Sequence, residues 1–313
     1  MKRIAYIFPG QGSQEVGMGQ AAFEAYDAVQ DLFEQADRTL GYSLSSLMFN
    51  GPEETLTKTE NAQPALLLNS VALVNMLHQE GVRPVMTAGH SLGEYSALVA
   101  SGALQPLEAL KLVHARGQLM EEAYPAGMGA MSAVLGLSKE AIEEVISDFP
   151  ENEAVDLANI NCPGQIVISG TRQGVEKAGE RLKEAGAKRV IPLNVSGPFH
   201  SRLMEPASQD LASHLKAANI EDAEPPVYVN ATAEPVVDKN EVEHSLVKQL
   251  YSPVKFQAIL EAFSEAELDA IVEVGHGKVL TGLVKKVNRR MKTFNVQDPE
   301  SLQSFLSWYK EES

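Results

Sequence analysis

The sequence predicts an α/β protein with a mostly parallel sheet and a smaller unit inserted into it. Three observations carry that reading. Short apolar runs alternate with helical stretches along most of the chain. Between Met128 and Pro192 the order becomes β-α-β-β-α-β, the ferredoxin-like pattern. The length of 313 residues suits two domains, or one large domain carrying an insertion.

Ile4 to Phe8 is an apolar run ending at Pro9-Gly10, as a buried strand does. The glycine-rich loop Gly10-Gln-Gly-Ser-Gln14 follows, then helical sequence from about Gly19 to Leu40. Thr59 to Gln79 reads as a long helix, with Thr59 as N-cap and Gly81 as its stop. A second strand, Pro84 to Ala88, runs into Gly89-His-Ser-Leu-Gly93 and a helix over 94–100. Pro106 opens a helix to Tyr124, whose buried face is Leu110, Val113, Gly117, Met120 and Tyr124. The inserted unit then reads strand 130–135, helix 139–149, strands 155–160 and 165–169, helix 172–185 and strand 188–191. Beyond it come helix 201–217, strand 227–230, helices 241–250 and 254–264, strand 270–274, helix 278–288, strand 293–296 and helix 299–310. Residues 1–127 and 193–313 thus form one discontinuous catalytic domain, and 128–192 the ferredoxin-like subdomain.

Composition narrows the function. Lys and Arg number 26 against 42 Asp and Glu, a formal net charge of −16. A nucleic-acid or anionic-membrane binder needs a basic footprint instead. One cysteine, Cys162, leaves no internal disulfide or Cys-rich zinc site and suits a reducing cytosol. In its Asn-Cys-Pro-Gly turn nothing nearby would activate the thiol, so it is read as structural. The most apolar stretch, Pro64 to Leu77, is short and interrupted by Asn69, Ser70 and Asn75. The apolar run after Met1-Lys2-Arg3 stops too soon for a signal peptide, so a cytoplasmic protein is expected. Gly17-x-Gly19-x-x-Ala22 lies too far past its strand for a dinucleotide fingerprint, and no phosphate loop or H-E-x-x-H motif is present. No metal and no cofactor are expected.

The sharpest chemical signal is Gly89-x-Ser91-x-Gly93 between strand and helix, the setting of a nucleophile elbow and of an α/β-hydrolase-like core. Glycines allow a sharp turn with the serine exposed, and the following helix turns its N-terminal amides toward developing negative charge. Serine needs a base. Of seven histidines, His78, His114, His214 and His244 lie in polar helical sequence, and His90 adjoins the serine, where it props the turn. Two remain open from the pattern: His200, at a loop ending in a helix start, and His276 in a Gly-His-Gly turn.

Six motifs now stand in order: Phe8-Pro-Gly-Gln-Gly-Ser-Gln14, Asn61-Ala-Gln-Pro-Ala65, Gly89-His-Ser-Leu-Gly-Glu94, Gly197-Pro-Phe-His-Ser201, Gln249-Leu-Tyr-Ser-Pro-Val254 and Val274-Gly-His-Gly-Lys-Val-Leu-Thr-Gly-Leu283. Over about residues 4–297 the chain resembles the malonyl-CoA:acyl carrier protein transacylases of bacterial fatty acid synthesis, in their stand-alone, Bacillus-like form. The resemblance implies ping-pong transfer of malonyl from malonyl-CoA to acyl carrier protein through an ester on Ser91. It makes His200 the general base, the Gln11 and Leu92 amides the oxyanion hole, and the Gln249 carbonyl the group that orients the histidine. It assigns Arg116 to the malonate carboxylate, with Gln63 and Phe199 beside the substrate, and implies a monomer. The family's usual pattern has proline where His276 stands.

Chemistry agrees with the assignment of Arg116, since a guanidinium grips a carboxylate through two parallel hydrogen bonds. Read without the resemblance, Arg116 is an ordinary solvated arginine, while Phe199 stays open between plain core packing and limiting room near the malonyl α-carbon, which would disfavour branched extenders. Other readings are a serine hydrolase (a thioesterase or patatin-like lipase), a malonyl loader for a polyketide synthase, or a docking protein that kept the fold. A strongly acidic carrier should be repelled by a chain at −16, but six cations and no acid fall between Gly275 and Gln297. Lys285 with Arg289, and Lys286 with Arg290, are spaced i,i+4 on the expected helix, making one side of it a candidate carrier-docking face. Lys188-Arg189 is a second candidate.

Overall fold

A computed structural model describes residues 2–125 and 127–311. Among the described residues ten strands form two sheets: β1 Ile4–Phe8, β2 Met86–Gly89, β3 Gly129–Leu135, β4 Val155–Cys162, β5 Gln165–Thr171, β6 Arg189–Pro192, β7 Val227–Tyr228, β8 Pro235–Val236, β9 Ala270–Val274 and β10 Thr293–Val296. The larger sheet has the order β10-β9-β1-β2-β7-β8, parallel throughout except for the last pair. Every residue of β1, β2 and β9 is buried, and these strands are apolar apart from Thr87 and Glu273. This is the mostly parallel α/β architecture the sequence predicts.

The smaller sheet has the order β4-β5-β3-β6 and is antiparallel at every pairing. Its own core forms as Val134, Ile168 and Leu157 pack against Ile142 and Leu182 from the helices Lys139–Ile146 and Arg172–Glu184. The second helix starts where Thr171 accepts a bond from the Gly174 amide at 3.0 Å.

Several expected elements change on inspection. The helix expected over 19–40 breaks at Tyr26, whose extended backbone separates Gln20–Ala25 from Asp27–Leu40. Two short helices, Leu44–Asn50 and Glu53–Thr57, occupy a stretch whose turn residues hid them. Thr59 is not an N-cap: it lies inside the helix Thr59–Gln79, where its hydroxyl accepts from Gln11 Nε2 at 3.3 Å. Tyr124 lies beyond the end of Pro106–Glu122, although the rest of the expected face is buried. Strand β8 was not expected; it is only two residues long. Strand β7 stops at Tyr228, which frees Asn230 for the site described next.

Candidate active site

Strands β1 and β2 are parallel neighbours with Phe8 opposite Gly89, so the loops that follow them leave the sheet at the same edge. The β2 loop turns at once into the helix Gly93–Ala100. A β-carbon on Gly89 would lie 1.8 Å from the Gly93 carbonyl carbon, and one on Gly93 2.2 Å from the Phe8 oxygen. The spacing of the two glycines therefore records how closely strand, turn and helix approach. Ser91, at the tip, has φ of 51°, the left-handed region that few serines adopt. Asn230 holds it there, accepting from the Ser91 amide and donating to the Gly89 carbonyl, both at 2.7 Å.

His200 meets Ser91 from the loop after β6, with its Nε2 2.7 Å from Ser91 Oγ. Its own φ is 58°. Nδ1 lies 2.9 Å from the Gln249 carbonyl, which can only accept, so Nδ1 carries the proton and Nε2 presents its lone pair to the serine. Gln249 ends the helix Lys239–Gln249, and its carbonyl is one of the groups a helix end leaves without an intrahelical donor. Burial, aided by the Arg116 charge, lowers the His200 pKa to about 3, leaving the ring neutral. His276 is elsewhere, its Nε2 2.8 Å from the Glu15 carboxylate, so of the two open histidines only His200 reaches the serine. His90 supports the turn as expected: Nε2 is 2.7 Å from Asn161 Oδ1 and the ring packs edge-on to Phe256.

Arg116 is 1% exposed, not solvated. Nη1 donates to Gln63 Oε1 at 2.7 Å, and Nη2 to Gln249 Oε1 at 2.9 Å and Ser91 Oγ at 3.1 Å. Tyr95 lies beneath, its ring centre 5.5 Å from the guanidinium carbon. Among the described residues no carboxylate pairs directly with Arg116, and its Nε has no partner. A buried cation whose direct partners are all neutral is costly and suits a site that completes itself with an anion. Gln63 is itself buried, with Nε2 3.3 Å from Met120 Sδ.

Ser91 and His200 border a cleft of about 470 Å³ whose wall also includes Gln11, Met120 and Phe199. Leu92 is buried directly after the serine. The backbone amides of Gln11 and Leu92 donate to no acceptor among the described residues. Two residues of the site escaped the sequence reading. Asn230 had no signal beyond an asparagine closing an apolar run. Glu94 had one: it is the lone acid of an otherwise apolar helix, and it is fully buried.

The candidate docking residues are rearranged. The helix is Val279–Val287, because Asn288 Oδ1 accepts from the Arg290 and Met291 amides at 3.0 and 3.2 Å and starts a turn. Arg289 and Arg290 therefore do not continue the helical face of Lys285 and Lys286. Lys285 Nζ donates to the Met291 carbonyl and closes that turn, and Lys286 Nζ donates to Gln165 at 2.9 Å. Cys162 is buried at the end of β4, where burial raises its thiol pKa. No group of three or more His, Cys, Asp or Glu among the described residues could hold a metal ion, and no described helix is long and apolar enough to cross a membrane.

Comparison with known proteins matches residues 5–304 to the acyl transferase domain family. The chain is 52% identical to the malonyl CoA-acyl carrier protein transacylase of Bacillus subtilis (strain 168), over 100% of this chain and 99% of the relative. Among solved structures it superposes on an acyl carrier protein S-malonyltransferase from Vibrio cholerae with a TM-score of 0.94 at 44% identity, covering 97% of this chain and 99% of the other. A malonyl-transacylase in complex with a type II PKS acyl-carrier protein gives 0.95 at 41% identity, with the same coverage. With identity of this order along its whole length, a serine elbow and a histidine held on it, the chain belongs to the malonyl-CoA–acyl carrier protein transacylase family of acyl transferases.

Proposed function

We propose that the chain transfers the malonyl group of malonyl-CoA to the phosphopantetheine thiol of acyl carrier protein, supplying extender units for fatty acid synthesis. The observation that carries this reading is the buried Arg116, 3.1 Å from the nucleophile and with no carboxylate in direct contact among the described residues. A lipase or thioesterase has no use for a cation there.

His200 Nε2 takes the proton of Ser91 Oγ as the oxygen attacks the thioester carbonyl. Negative charge gathers on the carbonyl oxygen, and the free amides of Gln11 and Leu92 receive it. Collapse breaks the C–S bond, and the proton on His200 goes to the leaving thiolate of coenzyme A. The second half runs in reverse: His200 takes the proton of the carrier thiol, whose sulfur displaces Ser91 from the ester. Gln249 keeps the imidazole in the productive tautomer throughout. Arg116, steadied by Gln63, holds the malonate carboxylate, and an acetyl group would leave the guanidinium unmatched. Phe199 limits room beside the acyl chain. The thioester is already activated, so the chemistry calls for no metal or organic cofactor.

We read the larger unit as an α/β-hydrolase-like domain of residues 1–127 and 193–313, and 128–192 as a ferredoxin-like subdomain. The parallel and antiparallel sheets support that division. We further take the enzyme to be a cytoplasmic monomer whose carrier lands on Lys286, Arg290 and their basic neighbours.

Intact-protein mass spectrometry after addition of malonyl-CoA tests the reading. One malonyl group should appear on the wild type, none on S91A, and carrier thiol should remove it. No mass gain overturns the transferase, and loss to water as fast as to carrier makes the chain a hydrolase.

A further inference from the structure

Behind Gln249 lies an acid that the mechanism above does not use. Glu94 is fully buried in the first turn of the helix after the nucleophile. Its Oε2 accepts from the Asn230 amide at 2.7 Å and from Gln249 Nε2 at 3.1 Å, while Oε1 has no partner among the described residues. The Gln249 amide therefore lies between two charges. Its oxygen faces the Arg116 guanidinium at 2.9 Å and its nitrogen faces the Glu94 carboxylate. Such an amide is polarised from both ends, and each charge strengthens the other's hydrogen bond.

Resting on the transfer reaction above, we propose that Glu94 is the resident counter-ion of Arg116, acting through the side chain of Gln249, and that its charge sets how strongly the guanidinium holds the acyl carboxylate. An ionised Glu94 partly satisfies Arg116 and competes with the incoming malonate; a neutral Glu94 leaves the guanidinium free for it. The ionisable groups acting on Glu94 are Arg116, from the helix Pro106–Glu122, and Tyr95 beside it; Asn230 and Gln249 are neutral. Burial raises the Glu94 pKa to about 7, against the lowering pull of Asn230, Gln249 and Arg116. A second carboxylate arriving at Arg116 weakens that last pull, so binding of malonyl draws a proton onto Glu94. His200, at about 3, does not titrate in that range.

The experiment is single-turnover acylation of Ser91, followed by intact mass, at pH 5.5 to 8.5. Malonyl-pantetheine and acetyl-pantetheine serve as donors because they lack the titrating phosphates of coenzyme A. Uptake of a proton on binding should make the apparent dissociation constant for malonyl-pantetheine climb by up to about tenfold across this range. Acetyl-pantetheine, which brings no charge, should show no such climb. E94Q keeps an acceptor for Asn230 and Gln249 and removes only the charge, so its malonyl profile should be flat and lie near the wild-type value at low pH. A flat wild-type malonyl profile overturns the proposal, as does an E94Q profile parallel to the wild type or an equal climb for both donors. The wild-type comparison of donors decides the matter even if E94Q does not fold. Failure of the wild type to acquire malonyl at all refutes the transferase reading instead.

Discussion

The Nη2 of Arg116 donates to Ser91 Oγ at 3.1 Å, so the cation and the nucleophile are in contact before any substrate arrives. The same nitrogen also donates to Gln249 Oε1, on the residue whose main-chain carbonyl orients His200. Acyl selection and nucleophile activation are therefore built from one hydrogen-bonded set.

R116A should lose most of the preference for malonyl over acetyl donors. Removing a buried charge-assisted pair costs about 3 kcal/mol, a fall of roughly a hundredfold in malonyl kcat/KM. R116K should recover little of it, because lysine cannot reproduce the planar fork. The ratio of acylation rates for the two donors measures this; an unchanged ratio refutes the clamp.

N230A removes the acceptor that pins the Ser91 amide and the donor that holds the Gly89 carbonyl. Leaving these groups unpaired should destabilise the fold by about 1–3 kcal/mol. Acylation should slow more than binding weakens, because the serine loses its position. Thermal melts and single-turnover rates together check both parts.

G93A places a methyl group 2.2 Å from the Phe8 carbonyl oxygen and 2.9 Å from that of Pro9, backbone atoms that cannot swing aside. The helix must move off the strand, so a loss above about 3 kcal/mol is expected. Calorimetry would reveal it, and a wild-type melting temperature would contradict the packing described.

Depression of the His200 pKa has a thermodynamic sign. In the unfolded chain the ring binds a proton below about 6.5, whereas in the folded protein it stays neutral down to about 3. Its contribution is therefore fully present above pH 6.5 and is lost as pH falls from there toward 3. H200Q lacks this term, so its melting temperature relative to wild type should rise steadily from pH 7 to pH 4. A constant difference would show that the histidine is not held neutral.

K286E and R290E should raise KM for acyl carrier protein and leave KM for malonyl-CoA in place, because both side chains are exposed on the surface. K285E should behave differently: it breaks the bond that closes the turn at Met291 and should show mainly as lost stability. Steady-state kinetics with each substrate varied separates the two effects.

Much of the site was legible because its chemistry is local in the chain. Gly89, Ser91 and Gly93 report their own turn, and β1 was readable as a continuous apolar run. The residue pattern left His200 and His276 open and only the family resemblance favoured His200, since the serine and its base are far apart in sequence; the fold brings His200 onto Ser91. The burial of Arg116 was likewise invisible to periodicity: its helix shows ordinary helical spacing, and only packing against Gln63 and Tyr95 decides that it is dry. The placing of Arg289 and Arg290 on the helical face of Lys285 and Lys286 failed for a smaller reason, a side-chain oxygen of Asn288 outcompeting the next helical turn.

Ser91 and His200, with φ of 51° and 58°, both occupy a backbone conformation that glycine or asparagine would adopt more readily. Conformation alone thus argues against the residues that reaction requires at these two places. A lineage released from the need to transfer acyl groups would be free to relax there, and its first tolerated replacements should be glycine or asparagine at positions 91 and 200. Loss of activity in such descendants would come with a gain in heat resistance, and the pair of positions would serve as a marker of retired enzymes within this fold.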